Sequence, residues 1–260
     1  KTNSNRDELV ELYNQNQYEE VIKKLNDSEL KKNNDPILLN IIGASYQKTE
    51  DLEKAREYFS RSSELNPSYS EALYNLANIE FAEDYYQEAF DKYNEALENN
   101  FPDPIVLVQM GRCLVKLGSI DEAMVLYENA LEIDADCERA YIEMAEVMVM
   151  KKEPQATIDY FYKALDINPN SFICHLRLAR YFKNINQPKM AMNFIQKLFE
   201  LGFENKELLL EQTEVLHNIG LYEEAIFSSK QVLEKDNQNS KAFNLIAKSL
   251  LELGLVDEAI

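Results

Sequence analysis

Arg112, Glu146, Arg180, Glu214 and Lys248 recur at one constant interval and alternate in sign without exception. The same row begins upstream with Val10, Ala44 and Asn78. Long charged side chains set about 10 Å apart on neighbouring helices reach one another. They then form a ladder of ion pairs, each worth roughly 0–1 kcal/mol when exposed. Left open, the row is a line of donors and acceptors that clamps an extended peptide backbone. The two readings are compatible where a ligand breaks into the ladder.

Other reactive side chains offer less. Cys174 and His175 are adjacent, but neighbours on a helix point about 100° apart and do not face each other as nucleophile and base. Glu83, Asp84, Glu88, Asp91, Glu95 and Glu98 crowd one stretch. They read first as a solvated wall, and otherwise as an acidic docking face for a basic partner. No phosphate-cradling glycine loop, nucleophile elbow or paired-histidine zinc motif is present. Cys113, Cys137 and Cys174 form no C-x-x-C pair, and His175 and His217 are the only histidines. Buried thiols in a reducing compartment are expected, with no metal site, no cofactor and no catalysis in this chain.

Composition sets the class. The 260 residues carry 27 basic and 46 acidic side chains, net -19. That field repels phosphate, which argues against nucleic acid and against anionic membranes. No apolar run approaches the roughly 18 residues needed to cross a bilayer, so direct membrane insertion is not expected. Six glycines and seven prolines are too few for a loop-rich or all-β chain. The first residues lack the apolar stretch of a signal peptide and do not begin with Met, so location is not read from the ends. The reducing compartment expected for the thiols makes a cytoplasmic location the expectation.

What must position the charged row is a repeat. EAFDKYNEAL at residues 88–97 returns as EAMVLYENAL at 122–131 and, more loosely, as ATIDYFYKAL ending at Leu165. Units starting at residues 2, 36, 70, 104, 138, 172, 206 and 240 follow without insertion or deletion. Their eighth positions read Leu9, Gly43, Ala77, Gly111, Ala145, Ala179, Thr213 and Ala247. Their twentieth read Val21, Ala55, Ala89, Ala123, Thr157, Ala191, Ala225 and Ala259. Small residues at these places let two helices approach closely. Large ones fill the space beside them: Leu25, Phe59, Tyr93, Tyr127, Phe161 and Ile195 at position 24, before Ser229 breaks the pattern. Pro67 and Pro169 stop second helices, Pro36, Pro102 and Pro104 mark other boundaries, and Gly118, Gly220 and Gly254 cap first helices. Each unit therefore reads as a helical hairpin that stacks on copies of itself.

The pattern resembles the tetratricopeptide repeat family. Leu39, Ile42, Gly43, Tyr46, Ala55, Phe59 and Pro67 match its motif in the second unit; Gly111, Gly118, Ala123, Tyr127 and Ala130 do so in the fourth. The resemblance covers essentially the whole chain, with the first and sixth units weaker because Ser28 and Leu198 replace a small alanine. It implies an all-α, right-handed α-α superhelix, a solenoid of about seven and a half 34-residue hairpins, as one array over residues 1–260. The units run 2–35, 36–69, 70–103, 104–137, 138–171, 172–205, 206–239 and a truncated 240–260. Ending at Ile260, just inside a second helix, the chain is expected to be a piece of something longer.

The family further implies that positions 2, 5, 9 and 12 of the first helices face a concave groove. On that basis Tyr74, Phe81, Val108, Val115, Ile142 and Val149 form an exposed apolar strip of the kind that marks interaction sites. Asn78, Arg112, Glu146, Arg180 and Lys183 supply the polar groups. The third unit carries one lysine against nine carboxylates, net -8, and the sixth has five cations against two carboxylates, net +3. An acidic segment or chain-terminal carboxylate is therefore expected near Arg180 and Lys183. Members that bind chaperone carboxylate tails use a Lys and two Asn, then Lys and Arg; the corresponding Tyr74, Asn78, Gln109, Arg139 and Glu143 fit only at Asn78 and, loosely, Arg139. The asparagine ladder of O-linked N-acetylglucosamine transferase survives here only as Asn75.

These features point to a scaffold or adaptor that binds a protein or peptide in the groove. One rival is the targeting arm of a transferase or oxygenase whose catalytic domain lies beyond residue 260. Another is a spacer or self-associating array.

Overall fold

The computed structural model describes residues 2–24, 34–99 and 103–259. Its first helices are α1 (Thr2–Asn14), α3 (Pro36–Lys48), α5 (Ser70–Ala82), α7 (Pro104–Leu117), α9 (Glu138–Lys151), α11 (Phe172–Asn184), α13 (Lys206–Ile219) and α15 (Ser240–Glu252). Its second helices are α2 (Tyr18–Lys24), α4 (Leu52–Leu65), α6 (Tyr86–Glu98), α8 (Ile120–Ile133), α10 (Pro154–Ile167), α12 (Pro188–Glu200), α14 (Tyr222–Lys235) and α16 (Val256–Ala259). The first helices open at one constant interval along the chain, and the second helices open at the same interval. Leu25, Ser28, Pro102 and Ile260 lie outside the described residues.

Local chemistry sets the ends. Asp35, Asp103, Ser171, Asn205 and Asn239 precede first helices, and their side chains accept from backbone N–H groups of the first turn. Asp103, for example, accepts from the Ile105 N–H at 2.8 Å. Proline opens α3, α7, α10 and α12, where its missing N–H costs nothing. Helices α4 and α10 end at Leu65 and Ile167, two residues before Pro67 and Pro169. Position 15 of each unit then turns left-handed: Gly118, Gly220 and Gly254, but also Asn16, Glu50, Asp84, Lys152 and Asn186.

The hairpins close on the small columns. Ala55, Ala89, Ala123, Thr157, Ala191 and Ala225 are fully buried, as are Phe59, Tyr127 and Phe161 beside them. A Cβ on Gly43 would stand 2.7 Å from the Phe59 ring, and one on Gly111 would intrude still further on Tyr127. Glycine at these two places is thus a packing requirement.

Two compact units result, residues 1–147 and 148–260. In the first, Leu9, Val21, Leu38, Leu39, Ile42 and Tyr58 form one core cluster, and Ala55, Phe59, Leu76 and Ile79 another. In the second, Leu209, Val232 and Ala242 gather with Phe199, Leu210 and Leu233. Neighbouring first helices touch directly, α3 with α5 in the first unit and α11, α13 and α15 in the second.

Candidate partner-binding surface

On α5 of the first unit, Tyr74, Asn78 and Phe81 stand four and three residues apart, which sets them on one helix face. Tyr74 packs 5.6 Å from the Tyr93 ring of α6, and the Tyr93 hydroxyl donates to Asn78 Oδ1 at 2.7 Å. Burial pushes the Tyr93 phenol well above its ordinary range, so it remains a donor. Arg112 of α7 lies 4.6 Å above the Phe81 ring, a cation–π contact, and donates to Gln109 Oε1 at 2.6 Å. Its Nε stands 3.5 Å from Glu143 Oε1, which also accepts from Arg139 Nε at 2.9 Å. Glu143 is buried and shared by two guanidinium groups.

The expected apolar strip does not survive intact. Val108 is 0% and Ile142 1% exposed, because position 5 of α7 and α9 packs inward. Tyr74 and Phe81 are half-buried, as are Val115 and Val149. Glu146 is half-buried and engaged by other groups.

In the second unit, Arg180 and Lys183 on α11 are neutralised from within, which removes the basis for an acidic ligand docking on them. Arg180 donates through Nε to Glu211 at 2.6 Å and through Nη2 to Glu207 at 2.7 Å. Lys183 bridges Glu211 at 2.6 Å and Glu214 at 2.5 Å. Desolvation opposes the charge on both cations, yet their glutamate partners outweigh it and raise both pKa values. Desolvation likewise opposes ionised Glu214, while Lys183 and Lys241 hold its carboxyl below the ordinary range. Glu211 is 6% exposed, so these contacts act with little solvent screening.

A regular offset emerges. Arg112 reaches Glu143 and Arg180 reaches Glu211, both from position 9 of one hairpin to position 6 of the next. Gln109 donates to Asn78 Oδ1 across the same offset at 3.5 Å. The expected ladder within the position-9 row is thus replaced by pairing between two columns. Reading one column at a time missed Glu211 and met Gln109 and Glu143 only as misfits to a carboxylate-tail motif; the signal is complementarity between columns six and nine at a lag of one repeat.

Elsewhere the candidates are structural. Cys174 Sγ lies 3.4 Å from the Phe161 carbonyl, and His175 Nε2 lies 2.9 Å from the Pro169 carbonyl, each turned to a different partner. Burial pushes the Cys113 thiol up to about 12. Of the acidic stretch in the turn and second helix of the third repeat, Glu83 pairs with Arg56, Asp84 accepts from Tyr86, and Asp91 accepts from Gln87.

Residues 42–104 and 105–137 match family models described as tetratricopeptide repeat. The chain carries tetratricopeptide repeats. Its tetratricopeptide fold is similar to that of a Parabacteroides merdae tetratricopeptide repeat protein, with TM-score 0.74 and 15% identity over 95% of this chain and 98% of that one. Yeast Tom70 gives 0.71 and 19% over 93% and 52%. Likeness at such identity speaks to fold alone. The Hsp70-Hsp90 organizing protein of Triticum aestivum is 25% identical over 125 residues, 48% of this tetratricopeptide chain and 22% of that protein. The chain spans 16–22% of the length of the first curated relatives it matches.

Proposed function

We propose that this chain is a protein–protein interaction module, non-catalytic in itself, that holds a peptide or protein segment on the surface of its first helices. The observation that carries the reading is the cross-repeat pairing of Arg112 with Glu143 and of Arg180 with Glu211. Pairs of this kind hold adjacent first helices at fixed spacing and leave a polar surface preorganised for an extended ligand. A relative named for organizing Hsp70 and Hsp90 supports a role in holding other proteins. Three buried thiols, Cys113, Cys137 and Cys174, suit the cytoplasm. Among the described residues no helix is long and apolar enough to cross a membrane.

The test is capture from a lysate of the source by the immobilised chain. Asn78→Ala/Arg112→Ala/Arg180→Ala serves as the parallel bait, with its melting curve measured alongside. A protein held by the parent and lost by a folded triple variant is the expected result. Equal capture by both baits would move the interface to the second helices. No enriched protein would overturn the module reading.

A further inference from the structure

We propose that the cleft bounded by α11, α13 and α15 in the second unit binds an acidic stretch inside an extended peptide, its carboxylates on Lys241 and Lys248 and its backbone on Asn184, Asn218 and Asn244. The inference rests on the interaction-module reading and gives it a place and a ligand chemistry.

The pairing of position 9 with position 6 runs out at this cleft. Glu214 stands at position 9 of its hairpin, and position 6 of the next hairpin is Leu245, which carries no charge. Glu214 therefore turns to Lys183 and Lys241. Lys248 is left over: among the described residues its ammonium has no ion-pair or hydrogen-bond partner, and neither do the carboxamides of Asn184, Asn218 and Asn244. Arg112, Arg180, Lys183, Glu143 and Glu211 are all cross-linked, so this group contrasts with the other polar side chains of the first helices.

The cleft encloses about 480 Å³, within the range of ligand-binding clefts. Lys241 and Lys248 line it against the carboxylate of Glu214, while Lys183 at its edge is already held by Glu211. A local excess of positive charge in a chain of net -19 draws an acidic partner to this place. Free carboxamides each present two donors and an acceptor, which suits a peptide backbone.

The spacing selects side-chain carboxylates over a chain terminus. Lys241 and Lys248 are seven residues apart on α15, or about 10 Å along the axis at ~1.5 Å per residue. An extended segment in the polyproline II conformation rises ~3.1 Å per residue with about three residues per turn, so acids three positions apart span nearly the same length on one face. A lone terminal carboxylate needs donors that converge on one point. When the peptide takes Lys241, Glu214 keeps Lys183 on Oε2, so its charge remains paired.

The probe is an N-acetylated, C-amidated decapeptide of alternating Ala and Ser with Glu at its fourth and seventh places, titrated into the ¹⁵N-labelled full chain. The side-chain NH₂ signals of Asn184, Asn218 and Asn244 are expected to shift. Affinity should drop about tenfold in Lys248→Glu, and should weaken as salt rises. A peptide with Gln in place of both Glu should bind at least about tenfold more weakly. Equal affinity for the Gln peptide, or shifts confined to other helices, would overturn the proposal. So would a Gln peptide with a free C-terminal carboxylate that binds as well as the acidic one, or no shift at all. Retention of a lysate partner by Lys248→Glu would sink this cleft while leaving the module reading intact.

Discussion

Glu80 stands in a column that otherwise reads Leu12, Tyr46, Leu114, Met148, Phe182, Leu216 and Leu250. It is 7% exposed; Lys92 Nζ lies 3.7 Å from Oε1, and Oε2 is buried with no hydrogen-bond partner among the described residues. Burial raises its pKa, Lys92 and Arg56 pull it back, and Glu88 adds to the rise. The folded state thus holds this proton more tightly than the unfolded state. Stability is greatest below the unfolded carboxylate range and falls as pH climbs through the raised folded value. Glu80→Leu should stabilise the first unit by about 1–3 kcal/mol at pH 7 and flatten that dependence, as thermal melts from pH 7 to pH 5 would reveal. A variant no more stable than the parent would mean that Lys92 already compensates the charge. Glu214 has the opposite sign. Its lowered pKa contributes stability above the unfolded carboxylate range, lost as pH falls through the folded value.

At the scale of the element, the turn between helices is the recurring problem, and the chain solves it unevenly. Position 15 is left-handed in glycine and non-glycine units alike, with φ of 66° at Glu50, 59° at Lys152 and 87° at Gly118. An L side chain there costs about 1–2 kcal/mol, while glycine does not. Lys152→Gly should therefore stabilise the second unit by about 1 kcal/mol, and Gly118→Ala should destabilise the first by a similar amount. Chemical denaturation of each variant at constant m-value checks both. No change on either substitution would mean that the turn relaxes to another conformation. The glycines at 118, 220 and 254 were legible as caps. The left-handed turns at Glu50, Asp84 and Lys152 were not, because tertiary packing of the hairpin dictates their backbone against local preference.

For the molecule as a whole, self-repulsion competes with pairing. A net charge of -19 on 260 residues opposes compaction at pH 7. Exposed ion pairs such as Lys24–Glu8 and Lys197–Glu200 each return little. Shielded contacts at Glu143 and Glu211 are only weakly screened by salt. Raising NaCl from about 0.05 M to about 0.5 M should consequently raise the Tm, since screening relieves more repulsion than it removes attraction. Differential scanning calorimetry at pH 7 decides this; a falling Tm would mean that surface pairing dominates.

The sequence by itself determined the period, the hairpin, the small columns where helices meet, and the caps, because each follows from side-chain volume or backbone preference repeated in phase. Phe59 against Gly43 and Tyr127 against Gly111 were legible in that way. Only the tertiary structure decided which groups remain available to a ligand. Val108 and Ile142 turned inward because the stagger between successive first helices sets how deep a position-5 side chain sits. Arg180 and Lys183 were claimed by Glu207, Glu211 and Glu214 because the same stagger brings position 9 of one hairpin opposite position 6 of the next. A charge's partner depends on distances between helices, and a one-dimensional period contains no such distance.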